Sequence, residues 1–363
     1  MPKEFDTTAD TNPENPMISV IIPMYNSEKY IETCLRSVMT QSVDDIEVIL
    51  IDDASTDHGP EIAQRVLNEY PHTEQCRIVR NEHNSGVAFS RNRGVESAVG
   101  KYIFFMDADD ILAPYCFETL LHKAEETGAD LVGGEKICFI DDVPAGTHTN
   151  SISAITLHHD DVVRYFGRIR KNTRYTLYFM VWNKLIRRSF LNINSISFIS
   201  QIRVHSDEPW CFKSFYLSNN IVLIENVTYF YRDTPSSIIN SLKKTQPIDS
   251  YNILVRYYYD AAINPDIEKY EKNDLTVLFF MKRESLVRRL FDHGTFRQFC
   301  RFVKDNNSFR FVPWAIWKSN GTLAQKLYLS IQSLSFPWFL LLFVPIATLL
   351  KMKNDFKRNI LKK

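Results

Sequence analysis

Two acidic clusters stand where this sequence could hold phosphates or a cation. The clearer is Asp107-Ala108-Asp109-Asp110, which follows the apolar and aromatic run Tyr102 to Met106 without a break. Such a run reads as a buried strand, so three carboxylates arrive at a strand's carboxyl end, where ligands gather in open α/β sheets. With Ala between them, Asp107 and Asp109 suit a tight turn in which one carboxylate faces a sugar hydroxyl and the other a hard cation bridging phosphate oxygens. Asp also ends strands and starts turns for purely local reasons, so the rest of the chain must decide. The second cluster, Asp52-Asp53, closes the run Ile46 to Ile51 in the same way.

The elements that position these residues alternate. Ile18 to Ile22 is a β-branched run ending at Pro23, and the apolar spacing Ile31, Leu35, Val38, Met39 predicts an amphipathic helix from Glu28. The strand Ile46 to Ile51 is followed by a helix starting near Pro60. A short strand from Arg77 to Arg80 leads into a helix from Val87 to Ala98, which Gly100 stops before the strand that carries the acidic turn. Pro114 to Thr127 is helical in period, and Asp130 to Gly133 reads as a short strand. This alternation predicts an α/β fold with a mostly parallel sheet and helices on both faces. Further on, Val181-Trp182-Asn183-Lys184-Leu185-Ile186 and His205 to Phe212 stand out, and the sheet region closes near Tyr229-Phe230-Tyr231-Arg232.

Composition narrows the function classes. At 363 residues the chain is long enough for more than one domain, and its 43 basic residues equal its 43 acidic ones. That balance argues against nucleic acid as the main partner. The six cysteines lie apart, without a zinc-like spacing, and read as reduced residues of a cytosolic protein. A site built from oxygen ligands needs none of the nine histidines.

The runs ISVIIPMYN, IEVILIDDASTD, NEHNSGVAFSRNRG and FFMDADD, in that order, resemble a family 2 glycosyltransferase of the bacterial surface-polysaccharide type, with the GT-A fold and an inverting reaction. The resemblance implies a Rossmann-like domain over residues 17–240, with a donor half at 17–112 and an acceptor half at 113–240. It implies a nucleoside diphosphate sugar, of uridine type, as donor and a glycan or lipid-linked hydroxyl as acceptor. Pro23, Tyr25 and Asp53 would hold the base, with Asp52 the alternative if the strand register is one residue off; Asn84, Gly86 and Arg91 would serve the donor phosphates or orient the acidic turn. Asp107 and Asp109 become the DxD motif, with Asp109 ligating Mg²⁺ or Mn²⁺ and Asp107 contacting ribose or the cation through water. Arg232 would close over the diphosphate. The general base in such enzymes is the Asp of a Glu-Asp pair before an aromatic residue. Aligned on Trp210, this makes Asp207 the base, puts Ser206 where Glu is common, and leaves Glu208 as the competing base. Trp182, Asn183 and Trp210 would wall the acceptor pocket. Two other readings stand beside this one: a haloacid-dehalogenase-like phosphohydrolase, which also places Asp-x-Asp after an apolar strand, and a non-catalytic module that binds nucleotide sugar.

The ends of the chain carry separate expectations. Residues 1–16 are polar and read as a disordered leader. Residues 246–325 are helical in period. Leu327 to Leu350 is 24 residues without a charge, about 36 Å if helical. Serines in its first third and prolines at 337 and 345 favour an interfacial or re-entrant anchor over a full span. The basic tail to Lys363 favours the cytoplasmic, anionic leaflet, which would place the protein on the cytoplasmic face of the cell membrane. Deleting residues 327–363 is therefore expected to move the protein from the membrane pellet to the supernatant on sedimentation; unchanged pelleting would contradict the anchor.

Overall fold

The computed structural model describes residues 15–140, 143, 154–158, 180–233 and five positions between 250 and 257. The described residues up to Asp233 belong to one compact unit and those from Ser250 to a second. Residues 1–14 of the expected leader, the part beyond 257 of the stretch expected to be helical, and the apolar segment with its basic tail lie outside the described residues.

The first half alternates as its sequence period requires: β1 Ile18–Met24, α1 Ile31–Met39, β2 Ile46–Asp52, α2 Gly59–Asn68, β3 Cys76–Arg80, α3 Val87–Ser97 and β4 Tyr102–Phe105. After the acidic turn come β5 Ile111–Leu112, α4 Cys116–Thr127, β6 Leu131–Phe139, β7 Ala154–His158, β8 Lys184–Arg187, α5 Arg188–Ile193, α6 Asp207–Leu217 and β9 Asn220–Arg232. The sheet order is β3-β2-β1-β4-β8-β6-β9-β5, with β7 also paired to β9. The core clusters around β1, β2 and β4, whose apolar side chains pack against α1, α2 and α4.

The sheet is parallel only in part. Strands β3, β2, β1 and β4 run parallel. Beyond them β8 is antiparallel to β4 and β6, and β5 and β7 are antiparallel to β9. The expectation of a mostly parallel sheet thus holds for β1 to β4, and the sheet beyond them is mixed. Strand β6 is also longer than its predicted four residues. Register shifts around Gly133 to Lys136 let it run past the two glycines and stay paired to β9. Helix α1 starts three residues later than its apolar period suggests, because Tyr30 and Ile31 both donate to the Ser27 carbonyl in a preceding turn.

Pro23 is accommodated inside β1 by where β4 ends. Ile21, two residues earlier, faces β4 and accepts from the Met106 N–H, while the last β1–β4 pair is Ile21 with Phe105. The missing N–H of Pro23 therefore costs no ladder bond. Helix α3 lies against the same strand through Gly94, where a Cβ would fall within the contact radius of the Ile21 side chain. Gly94→Ala gains helix propensity but overpacks this contact. It should lower the unfolding free energy by about 1–3 kcal/mol, measured by urea titration; a stabilised variant would contradict so close a packing.

Candidate active site

Two loops at the carboxyl ends of β1 and β2 are latched to each other. Asn26 N–H donates to Ser55 Oγ at 3.1 Å and Asn26 Oδ1 accepts from Thr56 N–H at 2.8 Å. Glu28 N–H donates to Asp57 at 2.8 Å, and His58 N–H returns a bond to Glu28 at 3.2 Å. Asn26 and Ala54 hold positive φ angles of 50° and 61° in these turns, the left-handed region that short polar residues tolerate and Ala enters at a cost. Tyr25 sits on the rim with 48% of its surface exposed, whereas Pro23 is buried in β1.

Asp52 and Asp53 divide their work. Asp52 accepts from Ser55 N–H at 2.9 Å and pairs with Arg80 at 3.0 Å, so it shapes the turn. Asp53 accepts from Asn81 Nδ2 at 2.7 Å, Ser85 N–H at 2.9 Å and Gly86 N–H at 2.7 Å. It is the anion at the head of α3, and of its roughly four acceptor positions about one remains for a ligand. Gly86 leads into the helix at φ 90°, and the Arg203 guanidinium stands against it and donates to Asn84 Oδ1 at 3.1 Å.

The acidic turn is held from two sides. Asp110 is buried, accepting from the Tyr229 hydroxyl at 2.7 Å and from the Arg232 N–H at 2.8 Å. Tyr229 Oη also accepts from the Asp107 N–H at 3.2 Å, and Arg232 Nε donates to the Asp109 carbonyl at 2.8 Å. On the other side Arg91, buried on α3, donates from Nη2 to Asp107 Oδ1 at 2.8 Å and from Nη1 to Asp207 Oδ1 at 2.5 Å. One guanidinium thus joins the turn after β4 to the first residue of α6, which lies 116 positions beyond Arg91 in the chain. Burial opposes the guanidinium charge, but Asp207 and Asp107 more than offset it and keep Arg91 protonated. Asp207 Oδ2 carries only a long contact from the Val181 N–H, at 3.4 Å, among the described residues.

Three residues expected to wall an acceptor pocket are placed otherwise. Trp210 is 2% exposed and packs in the core, edge-on to Phe105 and stacked on Phe198 at 5.2 Å. Asn183 is buried at φ 59°; its amide donates to the Gly134 and Glu135 carbonyls and its oxygen accepts from Thr228. It staples the β6–β9 bulge rather than facing a ligand, because a buried amide needs its partners. Trp182, 4% exposed, stacks on Tyr229 at 4.7 Å and Tyr231 at 5.3 Å, with Lys136 Nζ 4.8 Å from its ring centroid. It braces the tyrosine that holds the acidic turn. Glu208 lies one residue beyond Asp207, with its carboxylate 3.5 Å from His205 Nδ1. Cys34, Cys116 and Cys211 are buried, Cys76 is half-buried and Cys138 is exposed, all as free thiols.

The carboxylates fit a hard cation completed by substrate oxygens. Among the described residues no three His, Cys, Asp or Glu side chains form a closed metal cage. Mg²⁺ sites of the open kind need only one or two carboxylates beside phosphates and waters. Asp109 has the unsatisfied charge such a site requires: burial, and then the neighbouring Asp107, push its pKa up to about 6. Burial also raises Asp107, with Asp207 adding to the shift and Arg91 opposing it. Local sequence gives no sign of Asn81 or Arg203 in these roles, and the Tyr229-Phe230-Tyr231-Arg232 run alone points toward Tyr229.

Residues 19–193 match the family described as glycosyl transferase family 2. A Bacillus subtilis (strain 168) protein named "Uncharacterized glycosyltransferase EpsJ" is 30% identical over 61% of this chain and 63% of its own length. The chain thus spans less than two thirds of that relative. The teichoic acid poly(glycerol phosphate) polymerase of Staphylococcus epidermidis is 26% identical over 70% of this chain and 34% of its own. In shape the chain is similar to S. aureus TarS 1-349 solved in complex with UDP-GlcNAc, with a TM-score of 0.66, 18% identity, and coverage of 87% of this chain and 90% of that one. That likeness establishes a GT-A-like α/β fold. The match of residues 19–193 gives the phosphohydrolase alternative no support.

The raised Asp109 carboxyl has a definite pH signature. In the folded protein it takes up its proton at a higher pH than in the unfolded chain, so its ionisation destabilises the cation-free fold as pH rises from about 4 to about 6. Cation affinity should run the other way, falling as pH drops through about 6. Mn²⁺ titration by calorimetry at pH 5 and pH 7.5 checks this, and Asp109→Asn should remove the difference.

Proposed function

Because residues 19–193 are a glycosyl transferase family 2 domain, we propose that this chain moves a sugar from a nucleoside diphosphate sugar, of uridine type, to a hydroxyl of a glycan or lipid-linked acceptor. The product would be a cell-surface polysaccharide, and the reaction would invert the anomeric carbon. The observation that carries this reading is the Asp107–Arg91–Asp207 network, which brings the acidic turn and a second carboxylate into one site. The complex of TarS with UDP-GlcNAc and the polymer made by the S. epidermidis relative support the donor and acceptor classes.

In this reading the base lies against the exposed Tyr25, Pro23 being enclosed in β1, and its ring N–H takes the acceptor position left on Asp53. Asp109, with Asp107, would hold Mg²⁺ or Mn²⁺, which when bound neutralises charge on the departing diphosphate. Arg232, fixed beside the Asp109 carbonyl, adds a permanent positive charge on that side. Asp207 takes the proton of the acceptor hydroxyl on Oδ2 while Arg91 occupies Oδ1. The acceptor oxygen then bonds to the anomeric carbon from the face opposite the diphosphate. The carbon–oxygen bond to the diphosphate breaks, its electron pair leaving with the nucleotide, and configuration inverts. The apolar segment at 327–350 and the basic tail would hold the enzyme at the cytoplasmic membrane surface, close to a lipid-linked acceptor.

Nucleoside diphosphate sugars screened with and without Mn²⁺ on wild type, Asp109→Ala and Asp207→Asn test the proposal. Wild type should bind one sugar nucleotide in a Mn²⁺-dependent way, and Asp109→Ala should lose that binding. Asp207→Asn should still bind it but lower transfer by about 10³-fold or more, in the range seen when a general base is removed. Loss of transfer in Glu208→Gln instead would move the base by one residue. Binding without turnover in the wild type would favour a non-catalytic module.

A further inference from the structure

Arg91 does more than orient one carboxylate. Its two terminal nitrogens are committed to two different acids, Asp107 of the acidic turn at 2.8 Å and Asp207 of α6 at 2.5 Å. Its Nε has no hydrogen-bond partner among the described residues, and its guanidinium lies 5.5 Å from the Phe198 ring centroid. The side chain is 4% exposed, against 30% for Asp107 and 21% for Asp207. A buried fork of this kind cannot follow one partner without loosening its hold on the other, and solvent does not screen the exchange.

We propose that Arg91 is a positioning residue that couples the donor site to the base: whatever draws Asp107 away from the guanidinium tightens the grip on Asp207, and loss of Asp207 turns the guanidinium onto Asp107. This rests on the reading of Asp107 as part of the donor site. The coupling is reciprocal, so a change at Asp207 that alters donor-site affinity implies that donor-site occupancy alters Asp207 by the same factor. Its consequence for transfer is order. Before the donor binds, Arg91 is shared between the two acids. With the donor in place it is committed to Asp207 Oδ1, which fixes the orientation of Oδ2 toward the acceptor hydroxyl.

The probe is UDP with Mn²⁺, titrated calorimetrically into the full chain. Asp207→Asn frees Arg91 to neutralise Asp107 and should weaken UDP–Mn²⁺ binding three- to tenfold. Glu208→Gln removes a charge at the neighbouring position, where the carboxylate faces His205, and should change affinity less than twofold. In an Arg91→Lys background, where a single ammonium cannot span both acids in the same fork, Asp207→Asn should lose most of its effect. Equal effects of Asp207→Asn in the two backgrounds, or equal effects of Asp207→Asn and Glu208→Gln, would overturn the coupling. If Arg91→Lys does not fold, the comparison of Asp207→Asn with Glu208→Gln decides alone. Absence of UDP–Mn²⁺ binding in the wild type would instead overturn the donor-site reading, and the coupling with it.

Discussion

A buried arginine between two carboxylates is the constraint on which the rest of this site depends. Arg91 reaches its place because α3 packs flat on β1 at Gly94 and because Asp53 holds the head of that helix through the Ser85 and Gly86 amides. Taking a guanidinium out of water costs several kcal/mol, and two charged hydrogen bonds with good geometry are needed to offset it. The cost is borne where the acidic turn meets α6, two elements that no local interaction would bring together. The result specifies a geometry more than it adds stability.

The acidic turn shows the opposite economy. Asp110 accepts from Tyr229 and the Arg232 N–H, so one of the three neighbouring carboxylates holds the turn. Behind it, Trp182 stacks on Tyr229, and Asn183 pins the bulge that brings β9 alongside β6. Asp109 is half-buried without an ion-pair partner among the described residues, and burial, with the neighbouring Asp107, raises its carboxyl. A rigid frame that crowds three carboxyls, all raised by burial, suits a site whose neutralising charge arrives with the ligand.

Much of the fold from β1 to β4 was legible in the sequence. The runs 18–22, 46–51 and 102–106 are apolar enough to be buried strands, and each ends in residues that turn, so order and alternation followed from period alone. The second half was less legible because its roles are set by distant partners. Asn183 and Trp210 lie near the expected acceptor side in sequence, yet a buried amide among carbonyls and an indole stacked on Phe198 are facts of tertiary packing. The length of β6 was hidden by Gly133 and Gly134, which read as a stop but serve a bulge. The pairing of Arg91 with Asp207 spans 116 residues, and no spacing rule reaches that far.

The central claim is that the turn at Asp107 to Asp110 receives a nucleotide diphosphate and its cation. Anomalous diffraction from crystals grown with UDP and Mn²⁺ tests it most directly. The account predicts one strong Mn²⁺ peak about 2.0–2.3 Å from an Asp109 carboxylate oxygen, bridging the diphosphate, with the base beside Tyr25. A peak at any other carboxylates, or UDP bound away from the ends of β1 and β4, would contradict it.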